Sequence, residues 1–549
     1  MNLSTWRRIS LFFRKRNCTR GLSTSHMVQS STSLWRALED GSEEPIDVAD
    51  LFRYQRYRWL SGESEKLATR YRKFNVQGLL DASVKAVGID GISCVKLLKC
   101  VEGQFNKAFL LTMSNGFEII ARLPNPNAGP AFYTTASEVA TRHFLRDNIG
   151  LPIPRIYDWS AEACNPVGAE YILEEKAPGQ PLGRIWGNLS SETQSDLVHQ
   201  IVDIEKKLAS ISFPKHGCIY YETDLRSSSI QYERLDSRFL SSQTEQPVAF
   251  VIGPSASPNY WDREKVEMNL NRGPWSNVAD YALAIGMNEF EWAIANAKPR
   301  MNFHRSMESP ETPSDYIALL KDYMALSPYL AACTTAELPN RITHPDLHLD
   351  NVFIDPCTNR ITSIIDWQQA CVCPISLQRS HPQMLELSAS SQSGQGKHER
   401  NLLDHYYHAV KESDPVRWEV LADPLLQVKT NPIFMVPGCW EREDLFSLRN
   451  ALITAVARWD DMGHSETPCP VNFGDEELLK HQDEMDLLEG ISAILHQLQE
   501  DGLIPLGGMV RPEYYERAMG FNNCFRQEFI DLAENEQQRE LHAKVWPYQ

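Results

Sequence analysis

Asp346, Asn351 and Asp366, spaced within the stretch from His344 to Trp367, are the residue types that magnesium-dependent phosphoryl transfer needs. Magnesium takes a few hard oxygen ligands and keeps substrate phosphates in the rest of its octahedron. The amide oxygen of Asn351 and the carboxylate of Asp366 can supply such ligands, which leaves Asp346 to accept the proton of an acceptor hydroxyl. Taken singly, an Asp or Asn beside a turn is ordinarily a cap or turn former. His344 and His348 with Asp346 also permit a zinc reading, but Pro345 opposes a continuous helix there and no further ligand at ordinary zinc spacing stands out.

The elements around these residues must bring them together. Val352 to Ile354 is a short apolar run, Asp355-Pro356-Cys357-Thr358-Asn359 is dense in turn residues, and Ile361 to Ile365 is β-branched in four of five positions. That pattern predicts a β-hairpin, which folds Asn351 at its entry beside Asp366 at its exit. Upstream, Cys94 to Leu98, Ala108 to Met113 and Phe117 to Arg122 read as strands, with a hairpin turn at Asn115-Gly116. Leu197 to Ile211, Asp315 to Leu326 and Asp486 to Leu498 carry apolar residues at helical spacing, so the C-terminal part is mainly helical. Between them, Val248 to Gly253 and the tryptophans Trp261 and Trp275 mark an insertion rich in aromatics, and core packing is the favoured role for both tryptophans.

The same residues carry a resemblance. His344-x-Asp346-Leu347-x-x-x-Asn351 matches the Asp and Asn spacing of the protein-kinase catalytic loop, and Asp366 stands where the metal-binding Asp of the Asp-Phe-Gly motif falls. His348 replaces the loop lysine and Ile364-Ile365-Asp366-Trp367 replaces Asp-Phe-Gly, which resembles the aminoglycoside and choline phosphotransferase branch of the kinase-like fold. Glu102-Gly103-Gln104-Phe105-Asn106-Lys107, Ala121-Arg122-Leu123-Pro124, Thr135-Ala136-Ser137-Glu138-Val139-Ala140-Thr141 and Gly168-Ala169-Glu170-Tyr171-Ile172 are similar to a fungal mitochondrial group, altered inheritance of mitochondria protein nine. That similarity runs from about Leu51 to the C-terminal region.

The resemblance implies an α+β, bilobal protein-kinase-like fold, with a small antiparallel-sheet N-lobe over residues 89–176 and a large helical C-lobe over 177–549. The insertion then falls near 218–300 and the catalytic loop at 344–367. ATP and Mg2+ are the implied cofactors, and a small-molecule hydroxyl is the acceptor. The turn from Gly103 to Lys107, with Asn106, would lie over the phosphates, although one glycine stands where protein kinases carry three. Arg122 falls at the phosphate-binding lysine position, with Glu138 as its ion-pair partner. The connector Glu174 to Gly179, including Lys176, would meet adenine through its backbone. Asp346 is the implied base, His344 supports its loop, and His348 approaches the transferred phosphate. The departures at Arg122 and at the glycine-poor turn keep open a non-enzymatic alternative, a kinase-like scaffold or regulator.

Composition narrows the partners. At 549 residues, 42% hydrophobic and 23% charged, the chain can bury a large core. A net charge of -18 argues against a broad nucleic-acid surface, and no apolar run approaches the roughly 18 residues of a membrane span. The twelve cysteines are scattered without a Cys-x-x-Cys, and Cys371 and Cys373 read as free thiols.

Residues 1–38 differ in character, with seven basic residues (Arg7, Arg8, Arg14, Lys15, Arg16, Arg20 and Arg36), none acidic, and many Ser and Thr. This is the composition of a mitochondrial transit peptide, and it implies a matrix address. Residues 39–88 are expected to form a helical extension.

Overall fold

The computed structural model describes residues 32–226, 230–236, 239–241, 248–331, 338–387 and 394–549. The expected leader lies outside them as far as residue 31. Its last part is folded: Ser33–Ala37 is strand β1, with Leu34 and Trp35 running parallel to Leu97 and Leu98. Leu34 packs on the N-lobe core and Arg36 pairs with Glu44 of β2 (Glu43–Pro45), so pairing on both sides, with β4 and with β2, overrides the basic composition.

The extension expected to be helical is mixed. It carries β2 and β3 (Arg58–Trp59) besides helices α1 (Glu63–Ala68) and α2 (Val76–Val87). Gly88 stops α2 in the left-handed conformation.

The N-lobe sheet follows from period-two sequences. Its remaining strands are β4 (Cys94–Lys99), β5 (Asn106–Met113), β6 (Glu118–Pro124), β7 (Ile156–Ser160) and β8 (Tyr171–Glu175). The order is β2-β1-β4-β5-β6-β8-β7, antiparallel throughout except for β1 on β4. Along β5 the residues Lys107, Phe109, Leu111 and Met113 alternate inward. With Leu97, Ile119 and Leu123 they meet Leu79 and Leu80 of α2, and each such fully buried Leu or Phe contributes roughly 1.5–3 kcal/mol. Asn115-Gly116 makes the predicted turn, its asparagine oxygen accepting the Phe117 N–H at 3.0 Å. Helix α3 (Tyr133–Phe144) carries Glu138.

The larger lobe begins with β9 (Gln180–Pro181) and α4 (Ser191–Ala209), the latter capped by the Ser190 hydroxyl on the Thr193 N–H at 3.2 Å. The aromatic insertion is a sheet of β10 (Cys218–Tyr221), β11 (Glu233–Arg234), β12 (Leu240–Ser241) and β13 (Val248–Gly253), with short α5 (Glu222–Leu225) after its first strand. Helices α6 (Val278–Asn296) and α7 (Pro313–Ala331) pack Trp275 into their core. The segment expected to hold the catalytic loop then runs through β14 (Asn340–Ile342), β15 (Val352–Asp355), β16 (Arg360–Ile364) and β17 (Val372–Pro374). Leu197, Ile201, Ile204 and Leu208 of α4 share one core with Leu347, Val352, Ile354, Ile364 and Trp367, so a single helix face seats the whole segment.

Helix α3 is wedged between the lobes and buried from Thr134 to Phe144. Tyr133 stacks on Trp261 at 4.4 Å, Phe144 meets Phe250 at 5.3 Å, and the His143 ring hydrogen-bonds the Tyr221 hydroxyl.

Helices α8 (Gly394–Ser413), α9 (Pro415–Leu421), α10 (Leu426–Met435), α11 (Leu445–Ala457) and α12 (Asp475–Glu500) complete the lobe. The chain then returns to its beginning. Strand β18 (Met509–Val510) pairs with β3, and α13 (Tyr515–Asp531) and α14 (Glu536–Val545) bury Leu60 in a core with Val510, Phe529 and Trp546. No described helix is long and apolar enough to cross a membrane.

Candidate active site

The predicted hairpin forms. β15 and β16 are antiparallel with Val352 opposite Ile364, and Asn359 takes the left-handed conformation (φ 53°) that closes the turn. Just beyond, the Ile365 N–H donates to the Asn351 carbonyl at 3.0 Å, which sets Asp366 beside Asn351. The Asn351 side chain is buried, and its amide donates to the Asp346 carbonyl at 2.9 Å. That bond fixes which end of the amide is nitrogen and leaves its oxygen as a ligand. Asp346 keeps half of its side chain in the open.

His344 ties the two halves together. Its Nδ1 accepts the Asp346 N–H at 3.1 Å and its Nε2–H donates to the Ile365 carbonyl at 2.8 Å, with Trp367 packed edge-on at 4.6 Å. Burial pushes its pKa below the ordinary histidine value. With both nitrogens committed, the imidazole has no lone pair for zinc, and among the described residues no group of three or more His, Cys, Asp or Glu could hold a metal ion. His348 accepts the Asp350 N–H at 3.2 Å, and its Nε2 lies 3.8 Å from Asp346 Oδ2.

Arg122 joins the two lobes through two carboxylates. One guanidinium nitrogen donates to Glu138 Oε1 at 2.5 Å and another to Asp366 Oδ1 at 2.8 Å. Burial alone would lower the arginine pKa, but Glu138 and Asp366 hold it above its ordinary value, so the charge is secure. Burial raises the Glu138 carboxyl against the pull of Arg122 and Arg142. The contact geometry and the permanent charge of arginine favour an ionised pair. The second Asp366 oxygen has no partner among the described residues. Two protein oxygens, from Asn351 and Asp366, therefore fit a magnesium ion whose other ligands come from phosphate and water.

The turn at Gly103 lies at the end of β4. Its lysine is not free: Lys107 is fully buried and donates to Glu102 at 2.8 Å. Asn106, at the start of β5, donates to Gln368 Oε1 at 2.9 Å. Gln368 escaped the sequence reading, although it lies two residues past Asp366. Its neighbour Gln369 reaches Ala128 O across the lobes at 2.8 Å.

The connector is placed differently from expectation. β8 continues through Glu175, and Glu174 pairs with Ile120 on one side and Ile156 on the other, so its backbone serves the sheet. The Glu174 side chain is buried against Arg142. Lys176 instead pairs with Glu118 at 2.7 Å. Strand pairing on both edges outcompetes the turn propensity of this acidic stretch, and the connector proper starts at Lys176. At Gly179 a Cβ would stand 2.3 Å from the Ile354 carbonyl, and φ is 92°, so only glycine lets the connector lie on the β15–β16 hairpin. Cys371 and Cys373 are free thiols, as are the other described cysteines.

Residues 97–376 match the model of the phosphotransferase enzyme family, APH. A subtelomeric hrmA-associated cluster protein of Aspergillus fumigatus is 31% identical over 83% of this chain and 97% of its own length. The mitochondrial altered inheritance of mitochondria protein 9 of Saccharomyces cerevisiae is 22% identical over 87% of this chain and 89% of its own. Among solved structures, the streptomycin–ATP ternary complex of APH(2")-IIa matches with 11% identity and a TM-score of 0.35, over 70% of this chain and 99% of that one.

Proposed function

The chain belongs to the phosphotransferase enzyme family, and from that membership we propose that it transfers the γ-phosphoryl group of ATP to a hydroxyl of a small molecule, in the mitochondrion. The observation that carries this reading is the convergence of Asp346, Asn351 and Asp366 on one cleft under a charged Arg122–Glu138 pair. Asn351 and Asp366 would hold magnesium, which neutralises phosphate charge when bound. Asp346 orients the acceptor hydroxyl and takes its proton. His344 keeps the Asp346 loop and the Asp366 strand end in register, and His348 approaches the phosphoryl group from beside Asp346. Arg122 supplies a fixed positive charge to the nucleotide phosphates, and the backbone beyond Lys176 meets adenine. Catalysis is then mainly positioning and charge neutralisation. The mitochondrial address is supported by the basic, acid-free leader and by the names of the yeast relatives.

One observation favours a second reading, a kinase-like scaffold without turnover: Arg122 already occupies one oxygen of the carboxylate that magnesium requires. Thermal unfolding with ATP and magnesium, followed by ATP consumption with a metabolite extract, separates the two. A magnesium-dependent rise in melting temperature together with consumption supports the enzyme, and neither effect supports the scaffold.

A further inference from the structure

The turn that would cover the phosphates is tied down at its entry and at its tip. At its entry the buried Glu102 carboxylate accepts Lys107 at 2.8 Å, Lys99 at 3.2 Å and the Gln55 N–H at 2.7 Å. At its tip Gln104 Oε1 accepts both Nε and Nη2 of Arg70, at 3.2 and 2.9 Å. The Gln104 amide donates in turn to the Tyr54 hydroxyl at 3.3 Å and to the Met509 thioether at 3.4 Å, across 405 residues of sequence.

The backbone is polarised by the same arrangement. The carbonyl of Glu102 accepts Arg56 at 2.9 Å, that of Gln104 accepts Asn127 at 3.2 Å, and that of Phe105 accepts the Asn125 N–H at 2.8 Å. Because a carbonyl shares its planar peptide unit with the next N–H, fixing the Glu102 and Gln104 carbonyls fixes the N–H groups of Gly103 and Phe105. The N–H groups of Gly103, Gln104 and Phe105 have no partner among the described residues. Unpaired backbone donors held in place are what an anion-binding turn requires. Protein kinases carry three glycines at this turn, which leaves it pliable, whereas here a single glycine sits in a braced one.

We infer that the two ends of the chain, the segment from Tyr54 to Arg70 and the strand holding Met509, act together through Gln104 as a positioning device that presets this turn for a nucleotide phosphate. The inference rests on the reading of the cleft as a nucleotide site. Gln104 is a positioning residue: it acts through the backbone that it braces.

The test uses the full chain, with MgATP titrated by calorimetry and amide hydrogen exchange followed over residues 101–106. Gln104→Ala is expected to speed exchange in that turn by at least about tenfold and to weaken MgATP binding by about tenfold, with exchange in α3 unchanged. Gln104→Glu keeps an acceptor for Arg70 and is expected to recover most of both. Met509→Ala, on a partly exposed side chain that touches the turn only through Gln104, is expected to move both readouts in the same direction by a smaller factor. Unchanged turn exchange in Gln104→Ala overturns the inference, and so does faster exchange with unaltered MgATP affinity. A wild-type chain that binds no MgATP overturns the nucleotide reading itself.

Discussion

Arg122 and Asp366 form a direct bridge between the lobes, Nη2 to Oδ1 at 2.8 Å, while the same guanidinium holds Glu138 at 2.5 Å. A lysine ammonium is a single point of charge, so the two carboxylates are shared here in a way that the planar fork permits. Removing the fork strands a buried acid. Arg122→Met leaves Glu138 with Arg142 alone at 3.6 Å and is expected to cost about 3 kcal/mol in urea unfolding. A loss below about 1 kcal/mol would show that the bridge is incidental.

Asp346→Asn is expected to retain MgATP binding within about twofold and to lower turnover by about 10²–10⁴, the range for a positioned base. Among the described residues its carboxylate makes no hydrogen bond, so the fold is expected to be unaffected. Calorimetry and a coupled ADP assay check both halves. Wild-type turnover in the variant would remove Asp346 from the mechanism.

On the proposed reading, Asp366→Asn withdraws one of the two protein ligands that would hold magnesium. The magnesium concentration needed for half-maximal ATP binding is expected to rise at least about tenfold. A magnesium titration at fixed ATP reads this directly, and an unchanged midpoint would place the metal elsewhere.

Gly103 occupies open space, since an added Cβ would meet no atom within 4 Å and the backbone is not left-handed. Gly103→Ala is therefore expected to leave stability unchanged or raise it by up to about 1 kcal/mol. Close approach of the backbone to a phosphate is the remaining need for glycine, so MgATP affinity should fall by about tenfold. Thermal unfolding and nucleotide titration on the same preparation test the pair of outcomes, and a loss of stability would contradict the first.

Two buried histidines set an acid limit. Burial pushes His143 down to about 4 and His216 down to about 3, against an ordinary value of 6.5. Between those values the unfolded chain binds protons that the folded chain does not, so each histidine removes up to about 1.4 kcal/mol of stability per pH unit as pH falls below 6.5. His216→Phe should flatten the slope of unfolding free energy between pH 6.5 and 4 relative to wild type. An identical slope would mean that His216 is protonated in the fold.

The β15–β16 hairpin was legible because every cue was local: β-branched strands, and a turn of Asp, Pro and Asn between them. Arg122 and Glu138 were placed as partners by resemblance, and their geometry agrees. The bridge from Arg122 to Asp366 was not legible, since it depends on how closely the lobes approach. Strand β1 was read as leader because five residues in a basic context carry too little period to declare a strand. Glu174 was read as connector because strand ends shift by a residue or two, and its pairing partners Ile120 and Ile156 lie outside any local window. The pairing of β18 with β3 joins opposite ends of the sequence, and no local pattern announces it.

Helix α3 has one face on Arg122 and the other on Tyr221, Phe250 and Trp261 of the larger lobe. Switching by outward rotation of such a helix would have to tear apart a packed aromatic seam as well as an ion pair. The Arg122–Glu138 contact is thus built as a permanent fixture, a strut between the lobes and not a latch.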